Sequence, residues 1–124
     1  MKRLVYPVLL LAALSQPSNS QSVNDLFEYC QFEETSEMYS YCAGIVYGTA
    51  YLANTHCQFA ELDPRTRPLP SLSASVPDVS INEMVQVFVD WVPRNESMRD
   101  FLAPTGVIQA ISERWPCPHT TFPR

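Results

Sequence analysis

The chain has 124 residues, with 8 basic and 13 acidic side chains and a formal net charge of −5. This length suits a single domain with a modest core. The acidic balance disfavours nucleic acid and anionic lipid as partners, because both are negatively charged, and it favours a basic protein partner. The alternative is that the charge serves only to keep the protein soluble.

The N-terminus has the layout of a secretory signal peptide. Lys2 and Arg3 precede an apolar run over residues 4–14, and small polar residues follow it. This order predicts a cleaved signal peptide at 1–20 and one exported domain at 21–124. A retained membrane anchor is the less favoured alternative, because the run is about half of the roughly 20 residues that a spanning helix needs. Cleavage would change the net charge from −5 to −7, since both lost charges are cations.

The domain contains four cysteines, Cys30, Cys42, Cys57 and Cys117. An even number of cysteines in an exported chain predicts two disulfides and a periplasmic or secreted location. Three pairings are possible, and the sequence does not choose among them. A bridge from Cys117 to any earlier cysteine would close a long loop and stabilise the fold strongly.

Catalytic and metal-binding alternatives have little support. His56, Cys57, Cys117 and His119 could form a zinc site, but disulfides are the more common use of cysteine in exported proteins. The neighbouring carboxylates of Glu33 and Glu34 lie in a predicted turn, where solvated side chains are expected. We therefore predict no enzyme activity, no metal and no cofactor.

Hydrophobic periodicity predicts an all-α fold. Apolar residues at spacings of three and four favour helices at 25–32, 37–52, 81–92 and 104–115, and Asn95 could cap a further short helix. A strand is the alternative for 85–92 because of its β-branched residues. We expect a four- to five-helix bundle with two disulfides and one long Pro-rich loop.

Serine caps support two of these helices. Ser36 is placed to cap the second helix, and Ser80 with Glu83 matches a capping box for the third. The second helix also carries Gly44 and Gly48, four residues apart. Each glycine lowers helix stability by about 1 kcal/mol relative to alanine, so we expect both to serve close packing between helices.

The apolar residues of the second helix predict its buried face. Those at helical spacing are Met38, Tyr41, Cys42, Ile45, Val46, Thr49 and Leu52. Tyr47 and Tyr51 lie on another face, where they fit either a binding surface or the contact with a further helix. Trp91 and Trp115 are expected in the core.

Residues 58–79 are predicted to form a long loop, because four prolines interrupt any helix or central strand there. Loops of this length are uncommon inside compact domains and are usually either functional or disordered. Charged and apolar side chains alternate along it, and we hypothesise that Asp63, Arg65, Arg67 and Leu69 contact a protein partner.

The ordered set of cysteines, glycines and the C-terminal motif resembles the Tai/Rap-type immunity proteins of type VI secretion. The matching residues are Cys30, the helix segment Tyr41-Cys42-Ala43-Gly44-Ile45-Val46 with Gly48, Cys57, the helix start after Pro77, and Trp115-Pro116-Cys117. The resemblance covers almost all of residues 21–124. Trp115 stands where the family usually has Phe, Ile45 where it usually has Tyr, and the segment from Cys57 to Pro77 is longer than usual.

The resemblance implies an all-α periplasmic protein that inhibits a peptidoglycan-cleaving amidase effector and so protects the producing cell. It also implies a homodimer that inserts a loop into the active-site cleft of the effector. The alternative function is a general periplasmic chaperone, which would bind many clients through apolar surface. Neither function requires nucleic acid, or a membrane once the signal peptide is removed.

Overall fold

The structure, a computed structural model, describes residues 21–63, 65 and 67–118. The predicted signal peptide and the tail after Pro118, including His119, lie outside these residues. The described part contains four α-helices, and the predicted all-α class is confirmed. The helices are α1 Val23–Tyr29, α2 Glu37–Leu62, α3 Ile81–Trp91 and α4 Ala103–Arg114, with single 3₁₀ turns at Pro70–Leu72, Val92–Arg94 and Glu96–Met98.

Serine side chains cap the N-termini of three of the helices. The Ser36 hydroxyl accepts a hydrogen bond from the Tyr39 amide at 3.1 Å, and the Ser80 hydroxyl accepts one from the Glu83 amide at 3.1 Å. Both predicted caps are therefore present. At α1, Ser22 and Asp25 form a reciprocal capping box, in which each side chain accepts from the backbone N–H of the other residue.

The core lies between α2, α3 and α4, and α1 packs over one end of it. Its largest fully buried side chains include Phe88 and Trp91 from α3, Leu26 from α1 and Ile111 from α4. Gly106 lets α4 approach α1, because a Cβ at this position would lie 2.5 Å from Val23 Cγ2 and 3.4 Å from Trp91 Cζ3. This is the glycine at which close packing is required.

The two disulfides join Cys30 to Cys42 and Cys57 to Cys117. The first ties the end of α1 to the first half of α2 across 12 residues, and the second ties α2 to the segment after α4 across 60 residues. Paired cysteines of this kind indicate an oxidising compartment. Among the described residues, no helix is both long enough and apolar enough to cross a membrane.

Three predicted element boundaries are wrong. Helix α2 was predicted to end at residue 52 but continues to Leu62, and the loop predicted at 58–79 begins only at Asp63. Helix α1 is Val23–Tyr29, two residues earlier at its start than expected. Asn95 does not cap a helix through its side chain; its amide donates instead to the Trp91 carbonyl at 2.8 Å, and only a 3₁₀ turn follows.

Some predictions about α3 and α4 are confirmed and others are wrong. Helix α3 forms where a strand was the alternative, and α4 covers the predicted segment. Trp91 is buried as expected, whereas Trp115 is only half-buried. The buried residues of α4 are Val107 and Ile111 together with four small residues: Ala103, Gly106, Ala110 and Ser112.

Candidate protein-binding surface

The buried face of α2 differs in part from the predicted one: Cys42 and Val46 are buried as expected, but most of the other predicted residues are not. Its buried residues are Tyr39, Cys42, Val46, Ala50, Ala53, Cys57 and Ala60, called here the inner face. Met38, Tyr41 and Leu52 were expected in the core but are exposed, Leu52 by 54%. The core side of α2 is thus built mainly from small residues, and the large apolar side chains lie on the opposite side of the helix.

We define the outer face of α2 by seven of its exposed residues, which lie opposite the inner face: Tyr41, Gly44, Tyr47, Gly48, Tyr51, Leu52 and Phe59. No Asp, Glu, Lys or Arg occurs in the helix between Glu37 and Glu61. Surface helices normally carry charged side chains on the solvent side. A charge-free face with aromatic side chains instead has the composition of the central part of a protein interface.

Both glycines of α2 belong to this outer face. A Cβ built at Gly44 or Gly48 would meet no heavy atom within 4 Å beyond the neighbouring backbone. The prediction that they bring another helix of the chain close is therefore wrong for the described residues. Their effect is to leave shallow, side-chain-free positions between the exposed tyrosines, where a partner could approach the helix backbone.

The tyrosines of the outer face are ordered by ring contacts. Tyr47 and Tyr51 stack one helical turn apart, with ring centroids 6.3 Å apart and planes at 30°. Tyr41 makes an edge contact with Tyr29 of α1, with centroids 6.1 Å apart. Tyr51 remains 64% exposed. Tyr47 and Tyr51 were predicted to form either a binding surface or a contact with another helix. No helix among the described residues covers them.

A groove runs along the edge of the outer face beside the segment 76–79. Tyr47 and Tyr51 form one wall, and Val76, Pro77, Asp78 and Val79 form the other. Ala50 and Met84, both buried, lie at its base, and its volume is about 190 Å³. The Asn54 side chain fixes the two walls together, because its Oδ1 accepts a hydrogen bond from the Val76 amide at 2.9 Å.

The loop between α2 and α3 has two parts. Residues 73–76 are held against the bundle: the Ala74 amide donates to the Ala53 carbonyl at 3.1 Å, and the Ser75 amide donates to the Trp115 carbonyl at 2.9 Å. Ser73 and Ala74 are fully buried. Residues 63–72, called here the loop tip, carry the exposed apolar side chains of Leu69 and Leu72.

The four predicted contact residues all lie in the loop tip, but in different situations. The Asp63 carboxylate accepts from both the Arg65 amide at 3.0 Å and the Arg65 Nε at 3.1 Å. These hydrogen bonds from Arg65 hold the pKa of Asp63 below its usual value. Asp63 and Arg65 therefore order the turn after α2, whereas Arg67 and Leu69 are exposed at the surface.

A second cleft, between α3 and α4, was not anticipated from the sequence. It is lined by Asp90, Arg94, Glu113 and Arg114 above the Trp91 ring, and its volume is about 320 Å³. The indole N–H of Trp91 donates to the Glu113 carboxylate. The only sequence signal for this cleft is that charged residues occur near the ends of α3 and α4. That these residues face each other depends on how the two helices pack, which the sequence does not give.

The residues considered above for metal binding and catalysis do not form a metal or catalytic site in the described part of the chain. Cys57 and Cys117 are joined in a disulfide, which rules out the zinc site proposed with His56. Among the described residues, no group of three His, Cys, Asp or Glu side chains could hold a metal ion. Glu33 and Glu34 are exposed in the turn before α2, as predicted.

Comparison of the chain with protein-family models, with curated proteins and with solved structures finds no match in any of the three.

Proposed function

We propose that this chain is a periplasmic immunity-type protein that binds a secreted peptidoglycan amidase and blocks its active site. The observation that carries the proposal is the outer face of α2, with its exposed tyrosines and glycines and no charged side chain between Glu37 and Glu61. Leaving so much apolar surface in contact with water is unfavourable for a protein that acts alone.

The loop tip is the second element of the proposed surface. It follows directly from the last turn of α2, whose Leu62 is 81% exposed. The fully buried residues Ser73 and Ala74 and the Cys57–Cys117 disulfide support its base. A loop held rigid at its base loses less conformational entropy when it enters a cleft, which favours tight binding. Arg67 and Leu69 are the residues that we expect to enter the amidase.

The resemblance of the cysteine and glycine pattern to Tai/Rap-type proteins supports an amidase as the specific partner. The acidic charge fits a basic region beside the amidase active site, because opposite charges accelerate association. Export through the predicted signal peptide would place the inhibitor where peptidoglycan is cleaved.

A homodimer is also proposed, as the resemblance implies. Light scattering of the oxidised protein, with and without the amidase, would give the stoichiometry of each state.

The test is inhibition of purified amidases, chosen from those secreted by the source organism and its relatives. We expect one amidase to be inhibited at equal stoichiometry while unrelated peptidoglycan hydrolases are unaffected. No inhibition of any amidase would contradict the proposal.

A general chaperone is the second candidate, because exposed apolar side chains occur on both the outer face and the loop tip. Suppression of the aggregation of several unrelated unfolded proteins, without a single stoichiometric partner, would favour it over the immunity function.

A further inference from the structure

We propose that the groove between Tyr47, Tyr51 and the segment 76–79 is an anchor site for one Arg or Lys side chain of the protein partner. The inference rests on the proposed function, because it takes the occupant from the partner protein. It adds to that function by naming the chemistry of one contact. The groove has two aromatic side chains on one wall and the Asp78 carboxylate on the other.

The size of the groove suits a single side chain. Its volume is about 190 Å³, and a cavity of about 150 Å³ is enough to hold one benzene molecule. A helix or an extended peptide segment would need a longer depression. The groove is also pre-formed, because the Asn54 side chain bonds the Val76 amide and the base consists of the buried side chains of Ala50 and Met84.

The aromatic wall favours a cation. Tyr47 and Tyr51 are stacked with centroids 6.3 Å apart, and both rings remain exposed. The face of a tyrosine ring carries partial negative charge and attracts a guanidinium or ammonium group. The aliphatic part of an Arg or Lys side chain would pack on Val76, Pro77 and Val79, while its charged end stays near water.

The charge of the surrounding chain also favours a cation. Every lining residue comes from segments 21–64 and 68–93, and neither segment contains a Lys or Arg. Asp78 lines the groove and is exposed, and Glu83 follows on the first turn of α3. The cations of the described residues lie elsewhere, at 65, 67, 94, 99 and 114. A basic partner side chain would therefore meet no like charge from the elements that form the groove.

The test uses small probes and the oxidised protein, with no partner present. NMR spectra of ring-labelled tyrosines are recorded during titration with acetyl-arginine amide. Acetyl-citrulline amide, a neutral analogue of nearly the same shape, and acetyl-norleucine amide serve as comparison probes. We expect saturable shifts of Tyr47 and Tyr51 with the arginine probe and smaller shifts of Tyr29 and Tyr41, which lie outside the groove.

Two matched variants separate the groove from general attraction to an acidic protein. Asp78→Asn removes the carboxylate at the groove, and Asp100→Asn removes one from an exposed position outside it. Asp78→Asn should weaken arginine binding about threefold, as expected for an exposed ion pair. Tyr51→Leu should weaken it about threefold through loss of the cation–π contact. Asp100→Asn should leave binding unchanged.

Three results would overturn the inference. These are the absence of saturable shifts at Tyr47 and Tyr51, equal binding of the citrulline or norleucine probe, and equal effects of Asp78→Asn and Asp100→Asn. Because no amidase is present, failure here is distinct from failure of the proposed function, which the inhibition assay measures separately.

Discussion

The inner and outer faces of α2 are both largely free of charge, yet they differ in almost every other respect. The inner face carries mostly small residues, such as Ala50 and Ala53, and packs against α3 and α4. The outer face carries the larger side chains of Tyr47, Tyr51 and Leu52 and remains exposed. Burial along α2 therefore follows the room available between helices rather than the size of the apolar side chain.

The comparison also separates stability from binding. Changes on the inner face should alter the free energy of unfolding, because they disturb close packing or a disulfide. Changes on the outer face should leave folding intact and alter the affinity for a partner. Each of the following predictions tests that separation.

The largest effect is expected from the disulfide that begins on the inner face. Replacing both Cys57 and Cys117 by serine should lower the free energy of unfolding by about 4 kcal/mol, because this bridge closes a loop of 60 residues. The matched change at Cys30 and Cys42, whose loop spans 12 residues, should cost about 3 kcal/mol. Urea unfolding measures both; a smaller loss for the longer loop would contradict the loop-entropy argument.

The next effect compares apolar truncations on the two faces. Val46→Ala should lower the free energy of unfolding by about 2 kcal/mol, since Val46 is fully buried and the change leaves a cavity. Leu52→Ala removes more atoms but should change stability by less than about 0.5 kcal/mol, because Leu52 is exposed. Equal losses in thermal or urea unfolding would show that the outer face is covered within the monomer or in a dimer.

Glycine substitutions should change stability in opposite directions. Gly48→Ala should raise the free energy of unfolding by about 1 kcal/mol, because the added Cβ meets no atom and alanine favours the helix. Gly106→Ala should lower it by about 1–3 kcal/mol, because its Cβ would overlap Val23. Calorimetry of both variants checks the signs. A destabilising Gly48→Ala would restore the packing function first expected of that residue.

The smallest effect on stability is expected at the loop tip. Arg67→Ala and Leu69→Ala should change the free energy of unfolding by less than about 0.5 kcal/mol, because both side chains are exposed. Each should nevertheless weaken amidase inhibition if the tip enters the active site. Asp63→Ala is the contrasting variant, because its carboxylate orders the turn with Arg65. Unchanged inhibition after all four predicted contact residues are replaced would remove the loop tip from the interface.

Several elements of the fold could be predicted because their signals are local. Ser36 and Ser80 identify the starts of α2 and α3 through hydrogen bonds within a few residues. The end of α2 was missed although a signal existed: Pro64 disfavours helix only at the residue before it, so nothing stops the helix before Leu62. The loop was therefore predicted five residues too early.

The faces of α2 could not be assigned because both contain apolar residues at helical spacing. Periodicity then fits either face, and the predicted set mixed residues of the two, such as Val46 from the inner face and Leu52 from the outer face. The disulfide pairing and the groove at Asp78 depend on contacts between distant segments, as the Asn54–Val76 hydrogen bond shows. Tyr47 and Tyr51 were noted as candidates for a surface, but only the packing decides that the described residues leave them exposed.

The most direct test of the account adds one negative charge to either of two exposed positions. Leu52→Asp places it on the outer face of α2, and Ser97→Asp places it on the 3₁₀ turn at Glu96–Met98. Affinity for the inhibited amidase is measured by calorimetry with each oxidised variant. The account predicts a loss of at least about tenfold for Leu52→Asp, as for a central interface residue, and no loss for Ser97→Asp. Equal affinities of the two variants would contradict the claim that the outer face binds the partner.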